Sequence, residues 1–596
     1  MLKLTKLQLV CVAVMAILGV SYASAFNASS YSSSSKLASG KWVKITIPES
    51  GMYEITYDEM RAMGFTNPAQ VRVYGRGGNR INELMSSSFS DDLNLVPILR
   101  KNNKICFYGN GPIGYTISNY NTTPHFTRVF NPYSQVGCYF LSDMSGSDLT
   151  PSKKTSVTVN NYISTTDCLS FFIHENELTS ISSSGKEMLG EDFTTKPVYI
   201  DYKLPDLADS SIVVHTIIAV TASDLSYANA VIHSGGVTDT TVYPVSTSRI
   251  YKPASNVYYN FASPFAELKL THPAEQGQFE PKIILSNADM TVAIARLDYF
   301  ILTYKRKNVI SEDDGNQLMM GYANTKGTEH FRLPNASSNV VVWGIDDVFA
   351  PKEVVTKTYN DETGTGRYFT SPSANVSMYV AFDPTKTLKK ISAYETVENQ
   401  NLHGMAVPDM LIITTKPFLA QAQRLADMHT AVDGIDVAVV DHEKIFNEFS
   451  SGTRDAMAYR LLCKMLYDRD VNKNKFKNLL LFGPGSFDNR ELMGEHPTNL
   501  LTHHRDNKTI WTFPIQPMIS SASSTIIRVP TSRPRNSVSV LAASHVPTSK
   551  RPRAMWTRLW SITQRPTMAC GATITWSSVT RPRAACTCSR AKGTRS

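Results

Sequence analysis

The chain has no Cys-x-x-Cys pair, no long apolar run beyond its first 25 residues and no fixed-period repeat. Its eight cysteines, Cys11, Cys106, Cys138, Cys168, Cys463, Cys570, Cys586 and Cys588, mostly stand far apart. That spacing argues against a zinc ribbon and against a dense disulfide framework. No later segment reaches the ~20 apolar residues of a membrane-spanning helix, so none is expected in the mature chain. Acids are missing from one place: residues 505–596 carry 15 Lys and Arg but only Asp506. The formal net charge of +9 comes from that tail, because the preceding residues hold 45 basic against 50 acidic side chains.

Lys3 and Lys6 precede an apolar run from Leu7 to Val20, and Ala23-Ser24-Ala25 follows. A basic start, a short apolar stretch and a small-residue site predict an export signal over 1–25. Cys11 lies inside it, which does not fit a lipoprotein anchor. Residues 26–40 read as a Ser-rich linker. At 596 residues the chain is too long for one core.

From 41 to 390 the pattern is β. Val43, Ile45 and Ile47 alternate with Lys44 and Thr46, Glu49-Ser50-Gly51 reads as a turn, and Met52–Thr56 runs back. A short helix is expected at Asp58–Met63. Strands recur at Gln70–Tyr74, Lys104–Tyr108, Gly137–Leu141, Ser211–Thr221, Val257–Phe261, Leu268–Thr271, Pro281–Leu285, Leu297–Tyr304, Asn339–Val342 and Ser377–Phe382. This predicts several β-rich sandwich or barrel modules. Gly109-Asn110-Gly111-Pro112-Ile113-Gly114 spells a dinucleotide fingerprint, but a helix must open there, and Pro112 and a β-prone run follow instead. A turn is the better reading, as it is for Gly75–Gly78.

From 400 to 501 the pattern changes. Met410–Ile413, Val437–Val440 and Leu479–Phe482 are short apolar strands with helix-length patterns between them, as in alternating α/β units. Lys416–Val432 places Phe418, Leu425, Met428 and Val432 on one face, with Gly434 as the stop. A second helix, capped by Thr453 or Ser451, turns Leu461, Leu462 and Leu466 inward and has Arg469 near its end. Polar residues past the strand ends, Gly483–Asp488, stand where α/β folds build sites. Cys463 with His429 or His442 could form a dyad, but Cys463 falls on an apolar face, where a free thiol behaves as a buried hydrophobe. His503-His504 beside Asp506 is a weak metal pattern. No catalytic, cofactor or metal residue is assigned.

Pro408–Thr414 resembles the "PDYLIIT" strand of the gingipain-type (C25 family) cysteine peptidases, Ile445–Gly452 their "IYNEFSSG" and Leu480–Asp488 their "LLFGDGSYD". Val71–Gly78, Phe107–Gly111 and Asn399–Gly404 resemble the β-rich region of the family's type IX secretion sortase branch. Pro484 departs from the pattern, standing where Asp is usual. The resemblance implies a caspase-like α/β domain after β-rich modules, with a Cys nucleophile and a His base. It implies partners too: protein substrates with C-terminal sorting signals and outer-membrane secretion components, with no nucleic acid and no cofactor. The family His follows a run like "GVGRFP", which does not occur in these 596 residues.

The tail explains that gap by composition. After about Leu501 acids vanish, Arg-Pro recurs at Arg533, Arg551, Arg565 and Arg581, and four of the six Trp residues appear. A disordered basic arm would be poor in aromatics. In the alternate codon frame, with allowed wobble bases, Met518–Pro530 spells DFFCFLDDNSGT. Asn536–Leu559 then spells LRLGVGRFPRTNKQEAKGNVDKA, and Met568–Trp576 spells GMWRNNYL. These resemble family segments in order. A one-base slip between Leu501 and Arg505 is therefore expected, making 400–501 the first half of a truncated peptidase domain and 502–596 an out-of-frame, disordered tail. The expected function is a gingipain-like sortase of exported proteins in the periplasm, outer membrane or cell surface, here inactive. The alternative is a non-catalytic surface or secretion component acting through its β modules.

Overall fold

The computed structural model describes residues 28–502, apart from internal stretches of which the longest are 247–259 and 270–281, together with a strand at Ser539–Ala543. The expected export signal lies outside the described residues, as do 503–538, 544–596 and the His503-His504 pair. No described helix is long and apolar enough to cross a membrane.

The first strands are β1 (Trp42–Ile47), β2 (Gly51–Thr56), β3 (Arg72–Tyr74), β4 (Ile98–Lys101), β5 (Lys104–Gly109), β6 (Ile113–Tyr120), β7 (Thr123–Phe130) and β8 (Gly137–Ser142). Helix α1 (Tyr57–Ala62) starts on a capping box, in which the Thr56 hydroxyl accepts from Glu59 N while Glu59 accepts from Thr56 N. The helix thus starts at Tyr57, one residue ahead of the expected Asp58. β1 and β2 do not form the hairpin that their sequence suggests. β2 pairs with β5, which carries β4 on its far side, whereas β1 pairs with β8, which carries β3, and the other edge of β1 takes Ala393–Val397. The turn residue Gly51 reverses the chain, but β2 leaves for another layer where Met52, Cys106 and Tyr108 pack on Trp343 and Phe382. Gly109–Gly114 is a turn from β5 to β6 rather than a helix start.

A ten-stranded sheet forms the middle of the chain. Its centre is β9 (Asp167–Glu175), β10 (Leu207–Ala222), β11 (Val292–Lys307), β12 (Gln317–Tyr322) and β13 (Ser377–Phe382), in the order β10-β11-β9-β12-β13. Strand β14 (Ala393–Val397) then returns the chain to β1.

The α/β unit follows: β15 (Met410–Thr414), α2 (Leu419–Asp433), β16 (Val437–Asp441), α3 (His442–Phe449), α4 (Met457–Arg469) and β17 (Asn478–Phe482). All its strand pairs are parallel, with β15 between β16 and β17. Leu411, Ile413 and Leu479 face α3 and α4 on one side. Met410, Ile412, Leu480 and Phe482 face α2 on the other. Covering both faces is what makes such strands read as continuous apolar runs. The buried stripe of α2 is Ala422, Leu425 and Ala426, whereas Val432 is exposed because the helix runs out over solvent before Gly434 ends it in a left-handed turn, φ +66°. Helix α4 has no side-chain cap: it starts at Met457 with Ala456 at the N-cap position, past Ser451 and Thr453, and Thr453 is committed to Gly77 and Cys138. Helix α3 has no counterpart in the sequence reading.

Two further expectations change. Within the predicted 26–40 linker, 28–38 is packed: Tyr31 and Leu37 are buried, the Tyr31 hydroxyl donates to Asp468 at 3.0 Å and Arg469 donates to Ser32 O at 2.7 Å. Serines let this segment follow the surface while two apolar side chains anchor it. Second, β18 (Ser539–Ala543) pairs in parallel with β17 inside the expected structureless tail, so that edge of the sheet is paired.

Candidate functional site

The strands of the α/β unit end together at Thr414, Asp441 and Phe482. Thr414 Oγ1 donates to Phe482 O at 2.7 Å, closing the edge between β15 and β17. Asp441 caps α3 by accepting from Glu443 N at 3.2 Å, and burial raises its carboxyl above the usual range. The loop after β17 folds back: Leu500 N donates to Pro484 O at 2.8 Å, so proline in place of aspartate leaves the turn closed. Asp488 then accepts from Leu492 N at 3.0 Å and from Met493 N at 2.7 Å. Asn489 and Thr502 exchange hydrogen bonds at 2.8 and 3.0 Å.

The candidate dyad does not form. Cys463 is buried in the α3–α4 core and desolvation pushes its thiol up to about 12, away from thiolate chemistry. His442 Nδ1 lies 3.0 Å from the Tyr459 hydroxyl, and burial lowers its pKa to about 3, so it stays neutral. His429 faces Asp433 at 2.6 Å on the exposed side of α2. Among the described residues no group of His, Cys, Asp and Glu has the arrangement of a metal site.

What the structure does assemble was not singled out from sequence. His403 is fully buried, with Nδ1 2.6 Å from Glu448 and Nε2 3.1 Å from Asp91. Those carboxylates raise its pKa to about 9 against the pull of desolvation, so it is an imidazolium at neutral pH. Glu448 also accepts from Leu402 N, His403 N and Gln400 Nε2. Past Glu448, Thr453 and Asp455 of the turn reach the β-rich region. Thr453 Oγ1 donates to Gly77 O and accepts from Cys138 N, both at 2.9 Å. Asp455 accepts from Ile81 N at 2.8 Å. At Gly452, φ +81°, a Cβ would sit 2.8 Å from the Lys44 side chain. The segment resembling "IYNEFSSG" is therefore a seat between the two regions. The sequence signal was there, in a run of Asn, Glu, Ser and Thr within an apolar α/β stretch.

Residues 404–533 match the model described as Peptidase family C25. No curated protein matches the chain. Among solved structures, "dimeric latent PorU from Porphyromonas gingivalis" superposes with a TM-score of 0.68 at 26% identity over 80% of this chain. The STIV MCP (11% identity, 36% of this chain and 96% of that one) and PNGF-II (7%, 48% and 78%) each reach a TM-score of only 0.14 and carry no argument. The segment that holds the α/β unit is thus similar to the C25 peptidase family. The particular protein it is similar to is PorU, and this chain spans 45% of the length of that PorU chain.

Proposed function

We propose that the protein is a PorU-type sortase of type IX secretion. It would be exported by residues 1–25 and would cleave C-terminal sorting signals from other exported proteins at the outer membrane. The observation that carries this reading is the PorU likeness, which covers 80% of the chain and so takes in β-rich region and α/β unit together. In this reading residues 41–390 are the β-rich modules and 400–501 the first part of a caspase-like domain. The catalytic Cys and His belong to sequence that a one-base slip has replaced. The C25 match continues to residue 533, past the interval proposed for the slip. Nucleotide sequencing from the codon of Leu501 to that of Arg533 decides where the frame changes. If no other frame spells the family segments, the slip is refuted.

The purified 596-residue chain is expected to show no peptidase turnover, and the frame-restored chain to cleave sorting-signal peptides with loss of activity on thiol alkylation. Alkylation-sensitive cleavage by the unaltered chain would overturn the assignment of inactivity. Absence of cleavage by the frame-restored chain would overturn the peptidase reading.

A further inference from the structure

The loop that follows β17 is gripped from outside its own unit. Arg490 Nη2 lies 2.7 Å from Glu177, which follows β9, and its guanidinium stands 5.3 Å from the Phe130 ring of β7. Gln135 Nε2 donates to Arg490 O at 2.7 Å. Behind Glu177 stands a second guanidinium, Arg128 of β7, 3.0 Å from Glu175 and 3.4 Å from Asp298 of β11. Arg128 also lies 3.9 Å from the Tyr299 ring, and Tyr115 of β6 is a further titratable group near Glu175. All five charged side chains are at least 86% buried: Arg128 4% exposed, Asp298 3%, Glu175 10%, Arg490 10% and Glu177 14%.

Three carboxyls therefore face two guanidiniums in a space closed to counterions. One proton balances the cluster, and the neighbouring Glu175 and Glu177, which share a hydrogen bond, are where it fits. We propose that Arg490 is a positioning residue for the loop at the carboxyl edge of the α/β sheet, held there by a clamp on the β-rich region that a proton on the Glu175–Glu177 pair tightens. Burial, with the charge of Glu177 adding to it, raises the Glu175 pKa to about 7, which places the transition near neutrality. A carboxyl raised above its unfolded value binds its proton better in the folded state. The clamp is then tightest in mild acid and loosens as pH rises toward and through about 7. The inference concerns the packing of the loop and stands apart from whether the chain turns over a substrate.

The test is hydrogen exchange of the full chain between pH 5 and 8.5, with intrinsic rates divided out. Protection of residues 488–493 is expected to fall by about tenfold or more across that range, because the closed loop holds the Glu175 proton more tightly than the opened one. Glu175→Gln should keep protection high and flat with pH. Arg490→Lys, which keeps the charge but not the fork, should lose protection of the loop at every pH while the exchange of β15 is unchanged. A pH-independent wild-type loop, or a Glu175→Gln profile with the wild-type slope, overturns the proton's role. Loss of protection in β15 as well as the loop overturns the positioning role. If Arg490→Lys does not fold, Glu177→Gln removes the same contact from the other side and is read by the same two criteria.

Discussion

The parallel sheet and the β-rich sheets against which it sits use sequence in opposite ways. In β15 every residue from Met410 to Thr414 is buried, and its partners β16 and β17 come from the next seventy residues. In β1 the partners are β8 and β14, the latter some 350 residues on at Ala393–Val397. A strand is a local property of the chain; its neighbour is not. The α/β unit could be assembled from its own periodicity, whereas the β-rich region depends on pairings whose closure cost rises with sequence separation.

That contrast breaks most sharply at the seat between them. Glu448→Ala leaves His403 and Asp91 buried without the second carboxylate, and unfolding should become easier by about 3–5 kcal/mol, as for other broken buried pairs. Denaturant titration followed separately in β1 and β15 by hydrogen exchange checks it. If only the α/β unit loosens, the two regions are less coupled than the contacts indicate. Leu411→Ala removes a fully buried side chain from the central strand and should cost about 3 kcal/mol. Here most of the β-rich region should keep its exchange pattern, because Leu411 packs in the core under α3 and α4, which only Ile81 and Tyr133 of that region enter. Chemical denaturation with far-UV and exchange probes distinguishes the two outcomes.

The His403 imidazolium gives a smaller, pH-dependent handle. Its folded pKa of about 9 lies above the unfolded value, so its contribution is complete below pH ~6.5 and is lost as pH rises through about 9. Melting temperature should fall over that window, and His403→Gln should flatten the fall. A slope that persists in the variant assigns it to other groups. The smallest effect belongs to the β-rich region alone: Thr56→Ala removes the α1 cap and should cost about 1 kcal/mol in an equilibrium melt, leaving the α/β unit unaffected.

The three strands and two longer helices of the α/β unit were legible because burial on both faces writes itself as apolar runs. Helix α3 was not. Its His442, Asn447 and Glu448 are buried with Ile445, Phe446 and Phe449, so its polar residues sit where a two-letter pattern expects apolar ones. They are inside because their partners, Tyr459, Gln400 and His403, are there too. The packed segment 28–38 was hidden for the reverse reason: its serines look like solvent-facing linker, and only Tyr31 and Leu37 betray an anchor. The candidate dyad failed on placement, since residue type says nothing of whether Cys463 and His442 point at each other. The segments holding His403 and Glu448 stood out by resemblance, but their pairing did not, because the two carboxylates around His403 come from positions 91 and 448.

Tyr31 meets Asp468 across 437 residues of chain. The contact makes the described protein a closed ring, with segment 28–38 as its clasp on α4. Folding from the first residue onward must leave that clasp open until α4 exists, so the earliest part of the chain is among the last to dock. Once fastened, the ring also holds against a single cut. A protease that nicks the exposed strand β14 would leave two fragments bound through the clasp and the seat, to be separated only by denaturant.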